Sequence, residues 1–463
     1  NISGQLASQG IMPSNRAAIV LPNGPEMATA FLSISSYMSA APLNPSYKLK
    51  EYEFYLQDLM PKIVIVEKDS HNPAVEAAKN LGIEICEIKK IDNAPAGIFN
   101  LYDRTANFEL ATENNEALVL HTSGTTSRPK VVPLTNKNIF SSAINISNSL
   151  QLNSKDHCYN IMPLFHIHGL IAVLSSSINA GASVYASNGF NALKFLETAN
   201  KESITWYSGV PTMHQAILMR AKKNPKLAEE LSLRFIRSSS ASLPPAVFDE
   251  LKKIFKTTII EAYGMTEATH QMTSNPMPPE KQKAGFVGKP AGPEVCIMDA
   301  QGNKLDTGVD GEVCIRGNNV TNGYENNEEA NKTAFINGWF RTGDQGHFDD
   351  EGYLKISGRL KEIINRGGEK VSPLEVDNIL MEHEAVEQVV TFAVKDNLLG
   401  EAIGVAIVLK SGIDCNEIDI KNYASKHLAD FKIPKYIRFL EEIPKGATGK
   451  LQRIGLAEKL GLE

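Results

Sequence analysis

The chain is predicted to be an α/β protein. A large N-terminal domain of packed α/β subdomains should precede a small, mobile α+β C-terminal domain. Three observations carry this. Short apolar strands alternate with helical patterns through the first half, as parallel sheets require. Seven glycines fall between Gly338 and Gly368. Beyond them a tail of roughly 100 residues, a usual domain size, mixes helix and strand patterns of its own.

Taken in order, Ala17–Leu21 reads AAIVL, a short apolar strand. Asn23-Gly-Pro-Glu26 is a turn into a helix with Pro near its first position, and Met27–Met38 keeps helical spacing. Ile63–Val66 (IVIV) after Pro61 and Ala117–Leu120 (ALVL) are further buried strands. Ligands in such sheets sit beyond the carboxyl ends of the strands, which marks the loop after Leu120. The glycine cluster punctuates strands such as Tyr353–Ile356 and suggests tight turns or a hinge. Helices are expected over Pro373–Met381 and Ile418–Leu428, and strands over Thr391–Val394 and Val405–Leu409. A domain boundary falls near Lys361.

Composition sets the bounds. Of 463 residues, 42% are hydrophobic and 22% charged, which excludes a disordered chain. No apolar stretch reaches the 18 residues of a membrane span. A net charge of -6 argues against wholesale nucleic-acid binding but not against a basic pocket. Cys86, Cys158, Cys296, Cys314 and Cys415 are scattered, so a zinc site or disulfide framework is not expected. A cytoplasmic location follows, with a peroxisomal one open for a longer chain. The oligomeric state is not legible.

Four segments could carry chemistry. Five of the ten residues in His121-Thr-Ser-Gly-Thr-Thr-Ser-Arg-Pro-Lys130 bear hydroxyls. With free amides in a glycine-kinked loop they form a concavity for phosphate oxygens, to which Lys130 adds a point charge. It is not a Walker A loop, and a plain solvated Ser/Thr loop has the same composition. Glu261-Ala-Tyr-Gly-Met-Thr-Glu-Ala-Thr-His270 follows the strand-like Thr258–Ile260. Tyr263 suits base stacking, Thr266 a phosphate and Glu267 Mg²⁺, although Thr and Glu also make ordinary helix caps. Asp344 in a glycine turn, with Arg359 nearby, suits a ribose diol or a simple ion pair. Pro444-Lys-Gly-Ala-Thr-Gly-Lys450 sets a lysine on a glycine loop. Around it Lys432, Lys435, Arg438, Lys445, Lys450 and Arg453 outweigh Glu441 and Glu442, which suggests an anionic partner or a solvated face.

In this order TSGTTSRPK, YGMTE, the run from GWFRTGD through GRLKEII to GGEKVSPLEV, and PKGATGK resemble one family over the whole chain. It is the adenylate-forming superfamily of acyl-CoA ligases, luciferases and peptide-synthetase adenylation domains. Ser127 and Val131 stand where that pattern has glycines. Neither departure removes a charged or hydroxyl group, so the phosphate role is kept.

The resemblance implies the following roles. Thr122, Ser123, Gly124, Thr125, Thr126 and Lys130 hold the phosphates of ATP. Ser240 and Ala241 line the adenine with Tyr263 stacked on it, and Glu261 and Ala262 belong to the same set. Thr266 contacts the α-phosphate, Glu267 holds Mg²⁺, and Asp344 and Arg359 grip the ribose. Lys450 bridges the substrate carboxylate and the phosphate. Lys361 is the hinge between residues 1–360 and 361–463. Gly367 and Gly368 line the path of the coenzyme A arm. The expected reaction is acyl-adenylate formation with loss of pyrophosphate, then transfer to CoA.

The acid should meet Met162–Gly169, Ser238–Ser242 and the turn after Glu267, where His166, His168, Ser240 and His270 are the candidates. Buried polar groups without partners cost about 1–3 kcal/mol each, which disfavours a hydrocarbon tail and favours a short, dicarboxylic acid. Each histidine also suits a structural role beside the nucleotide. PLFHIHGL, TSGTTSRPK and EAYGMTEATHQMTSNP look most like the oxalate–CoA ligase branch. Oxalate is therefore the leading acid and malonate its nearest rival, with a medium-chain or aryl acid as the alternative. An amino-acid adenylation enzyme loading a carrier protein would need a pocket Asp, and none stands in EAYGMTEATH or beside Phe165. A non-catalytic nucleotide binder would be expected to lose Lys450 or Glu267.

Overall fold

The computed structural model describes residues 1–122, 129–444 and 451–462. Two mostly parallel sheets make the body. The first runs in the order Glu84–Glu87, Ile63–Val66, Arg16–Val20, Ser39–Pro42, Glu116–Thr122, Lys130–Thr135, with the last strand antiparallel. The second runs Ser183–Ala186, His157–Asn160, Trp206–Gly209, Phe235–Ser238, Thr258–Met265, followed by the antiparallel His270–Ser274 and Lys289–Pro290. The inner strands are covered on both faces, so Ile63–Val66 is apolar at every position instead of alternating.

The two sheets share one core. Ile19 and Leu118 from the first meet Trp206, Phe235 and Ile260 from the second, with Leu170–Leu174 between them. Each such side chain contributes about 1.5–3 kcal/mol of burial. The wedge between the sheets is the fully buried π-helix His168–Ser175. It can close on Pro163 only through Gly169, since a Cβ there would lie 2.4 Å from the Pro163 carbonyl oxygen.

A five-stranded antiparallel sheet follows, centred on Trp339–Phe348 and Leu354–Arg359. The small C-terminal sheet then begins at Ile364 and has its own core around Val389, Val405 and Ile437. The sequence-read glycine cluster mostly makes hairpins. Gly352 has φ +79° before Leu354–Arg359, and Gly367 (+60°) and Gly368 (+93°) join Ile364–Arg366 to Glu369–Val371.

The helix expected over Met27–Met38 spans Pro25–Ser35 instead. Tyr37 and Met38 keep the apolar spacing, but both amides bond to Ile34 in a closing turn, which delivers Ser39–Pro42 into register beside Arg16–Ile19. The strand foreseen at Thr391–Val394 extends over Val386–Asp396. Among the described residues no helix is long and apolar enough to cross a membrane.

Candidate active site

The site lies beyond the carboxyl ends of the parallel strands, where such sheets bind ligands. On one side Thr122 ends its strand directly opposite Lys130. Ser123, Gly124, Thr125, Thr126 and the departure Ser127 lie outside the described residues, as does Lys450. The Lys130 ammonium sits 4.2 Å above the Tyr324 ring. Burial lowers its pKa; Glu267 opposes the shift and Lys361 adds to it. Lys130, Glu267 and Lys361 are therefore electrostatic neighbours, although 94 residues separate Glu267 and Lys361.

Thr266 and Glu267 form a 3₁₀ turn directly after the strand Thr258–Met265. Glu267 is 6% exposed and accepts a 2.9 Å hydrogen bond from the Tyr324 hydroxyl. Burial pushes its pKa up, and Tyr324, Lys130 and Arg359 pull it back. Among the described residues no group of three His, Cys, Asp or Glu side chains could hold a metal ion. A lone buried carboxylate beside a lysine fits Mg²⁺, which takes one or two carboxylates and its other ligands from phosphates and water.

Asp344 and Arg359 face each other across neighbouring strands, with Arg359 Nε 3.3 Å from Asp344 Oδ1. The other Asp344 oxygen accepts a short bond from the Tyr263 hydroxyl. The ring proposed for the base and the acid proposed for the ribose thus form one unit.

Glu261 turns inward. Its carboxylate is buried and accepts the Leu243 amide at 3.1 Å, bracing the turn that carries Ser240 and Ala241. Its side chain thus serves the turn and not the open face, while Ala262 binds the same loop by accepting the Ser239 hydroxyl. Burial raises the Glu261 pKa to about 8 from 4.5, the Leu243 and Gly285 amides opposing. Between those values the native chain holds a proton that the unfolded chain has released, so stability falls as pH rises through that window. Glu261→Gln keeps the acceptor and removes the charge. Its melting temperature should fall less than the wild type's between pH 5 and 8.5 in thermal scans. Equal falls in the two proteins would refute this.

The acyl-site candidates converge. The rings of His168 and His270 lie 4.9 Å apart, and His168 Nδ1 is 3.0 Å from Ser240 Oγ. His166 Nδ1 accepts the His168 amide at 3.3 Å. Ser240 (φ +72°) and His270 (φ +92°) hold left-handed backbone that non-glycine residues rarely adopt, a form of strain that gathers at functional sites. The strain is held from outside. Asn319 Nδ2 bonds the Ala268 and Gln271 carbonyls at 2.8 and 3.0 Å, and the Ser142 hydroxyl bonds Thr269 O at 2.6 Å. The strand pair bulges at Gly264, where a Cβ would lie 1.9 Å from His270 O.

Three contributors carry no motif signal. Tyr324 holds Glu267. Ser208 touches His168 at 2.7 Å, and Arg237 is fully buried behind both. Only Arg237 left a trace, an arginine directly after the apolar pair Phe235-Ile236 in a strand. By contrast, the described contacts of the Gly367–Gly368 turn lead to Leu399 and not to this cluster.

The AMP-binding enzyme family model matches residues 1–325, and its C-terminal domain model matches residues 375–450. The chain belongs to the AMP-binding enzyme family. It is an AMP-forming acyl-CoA ligase of the adenylate-forming superfamily. The oxalate–CoA ligase of Arabidopsis thaliana is 46% identical over 97% of this chain and 89% of its own length. That of Saccharomyces cerevisiae is 42% identical over 97% and 87%. ATP-bound MatB from Rhodopseudomonas palustris superposes with a TM-score of 0.90 at 27% identity, covering 99% of this chain and 91% of that one. The likeness to that chain therefore takes in both the body and the tail of this one.

Proposed function

We propose that the chain is an ATP-dependent oxalate–CoA ligase, forming oxalyl-adenylate with release of pyrophosphate and then oxalyl-CoA with release of AMP. One observation carries the choice of acid: the candidate acyl site is walled by His168, His270 and Ser240, with a buried arginine behind them. A hydrocarbon tail would cover these polar groups without offering them a hydrogen bond, whereas a small polar acid can bond to them. The two relatives named oxalate–CoA ligase support the same reading.

The chemistry follows from charge. A carboxylate is a poor acyl donor because an oxide would have to leave. Its attack on the α-phosphorus of ATP makes a mixed anhydride, which a thiol can then cleave. Two anions must approach, so preorganised cations dominate the first step. Lys130 and Lys450 are assigned to the phosphates and the substrate carboxylate, Thr266 to the α-phosphate, and Asp344 with Arg359 to the ribose. Ser240, Ala241, Ala262 and Tyr263 shape the base site. Mg²⁺ would be held by Glu267 and would neutralise phosphate charge.

Lys361 is assigned as the hinge, with residues 1–360 and 361–463 as the two domains. It stands between the strand Leu354–Arg359 and the first C-terminal strand, Ile364–Arg366. A turn there would present different faces of the small domain in the two half-reactions, bringing Gly367 and Gly368 to the CoA arm in the second.

ATP–pyrophosphate exchange across oxalate, malonate, acetate, cinnamate and octanoate tests the acid. Oxalate should turn over fastest, with malonate next among the panel. Fastest exchange with octanoate or cinnamate would overturn the polar-site reading.

A further inference from the structure

Arg237 stands behind the candidate acyl site, and no step of the reaction set out above uses it. Its side chain is completely buried at the end of the strand Phe235–Ser238. Among the described residues no carboxylate lies within ion-pair distance. Its polar partners are a hydroxyl, an imidazole and an amide: Nη1 reaches Ser208 Oγ at 3.3 Å and His168 Nε2 at 3.5 Å, and Nη2 reaches Gln271 Oε1 at 3.2 Å. Nε has no hydrogen-bond partner among the described residues. Among the described residues its one electrostatic neighbour is Cys158, whose thiol burial keeps protonated. Burial lowers the guanidinium to about 9, so it keeps its charge at neutral pH. Gln271 cannot reverse its amide, because its NH₂ donates to Ala291 O at 3.0 Å and Ser149 Oγ at 2.9 Å. An uncompensated buried charge is costly unless the site is meant to receive an anion.

A guanidinium only donates, which sets the direction of every bond downstream. It fills a lone pair of Ser208 Oγ. That hydroxyl is fully buried, and its remaining partner is His168 Nε2 at 2.7 Å. Were His168 to donate from Nε2, the Ser208 proton would be stranded and two N–H groups would point at each other. So Ser208 donates, His168 Nε2 accepts, and the ring proton sits on Nδ1. From there it is donated to Ser240 Oγ at 3.0 Å. Ser240 is half-exposed and accepts this bond, which leaves its own hydroxyl proton to point into the site.

We propose that Arg237 is a positioning residue that sets acid specificity: through Ser208 it holds the His168 proton on Nδ1 and so turns the Ser240 hydroxyl into a donor, and through the field of its own charge it favours a small dianion over a monoanion. This rests on reading Ser240, His168 and His270 as the acyl site. The field of the buried charge acts on both carboxylates of oxalate but on one of acetate, and low polarity around it strengthens the difference.

The test compares wild type, Arg237→Gln, Arg237→Lys and Ser208→Ala by ATP–pyrophosphate exchange with oxalate and with acetate, alongside ATP affinity by titration. Arg237→Gln should lose about 10²-fold in kcat/KM for oxalate, the scale of one preorganised donor, with acetate and ATP affinity nearly unchanged. Arg237→Lys should recover part of the loss. Ser208→Ala should slow oxalate turnover while keeping the preference for oxalate over acetate. Equal losses for both acids in Arg237→Gln would make its role merely structural and overturn the proposal. Nitrogen-15 NMR of wild-type histidines, assigned with His168→Gln, should show the Nδ1-protonated tautomer. An Nε2-protonated or cationic ring would overturn the proposal even if no Arg237 variant folds. A wild type that does not prefer oxalate to acetate would sink the oxalate reading and the claimed specificity. The tautomer would then report on the proton order alone.

Discussion

Lys450→Ala is expected to slow acyl-adenylate formation by about 10²-fold or more, the scale of one preorganised charged donor. Conversion of a supplied acyl-adenylate to the thioester should survive. The reason is a difference in charge between the two steps. In the first, the acid's carboxylate and the α-phosphate both carry negative charge and must meet, and an ammonium between them lowers the barrier. In the second, a thiol attacks a neutral acyl carbon and AMP leaves, so the same ammonium has little to stabilise. The expectation rests on the sequence, where Lys450 closes the PKGATGK segment. The structure adds a framework for it. Arg453, three residues on, lies 3.5 Å from Glu362, next to the assigned hinge Lys361, and donates to Thr391 O at 2.9 Å. Single-turnover assays of each half-reaction provide the check. Equal losses in both would mean that one face of the small domain serves both steps.

What could be read in the sequence divides by range. The strand Ile63–Val66 was legible because burial on both faces makes it apolar at every position, a local property. The pairing of Asp344 with Arg359 was legible as two short motifs. Partnerships over long range were not. Tyr324 meets Glu267 across 57 residues from a segment, NGYENN, with no periodicity of its own. Ser208, Gln271 and Arg237 come together only because their strands belong to one sheet. Ser240 and His270 adopt positive φ without being glycine, so no turn signal marks them. Glu261 stood inside a nucleotide motif, yet its side chain braces a loop because the strand turns it away from the open face.

Glu267→Gln should lower adenylation by about 10²–10³-fold and raise the Mg²⁺ concentration needed for half-maximal rate. Glutamine keeps the shape and can still accept from Tyr324, so packing is preserved and only the charge is lost. Stability should move the other way. Burial raises the pKa of Glu267. Its ionised form therefore disfavours folding as pH rises, and the neutral amide removes that cost. The variant should melt no lower than wild type at pH 8 while being far less active. This combination separates a functional carboxylate from a structural one. A buried acid retained for folding would lose stability on replacement and leave the Mg²⁺ requirement unmoved. Tyr324→Phe gives the intermediate case: the carboxylate remains but loses a 2.9 Å donor, so activity should fall by about tenfold, the scale of a hydrogen bond to a charged group. If Glu267→Gln kept near wild-type exchange at low Mg²⁺, the metal role would pass to phosphates and water alone, and the carboxylate would be a wall of the site.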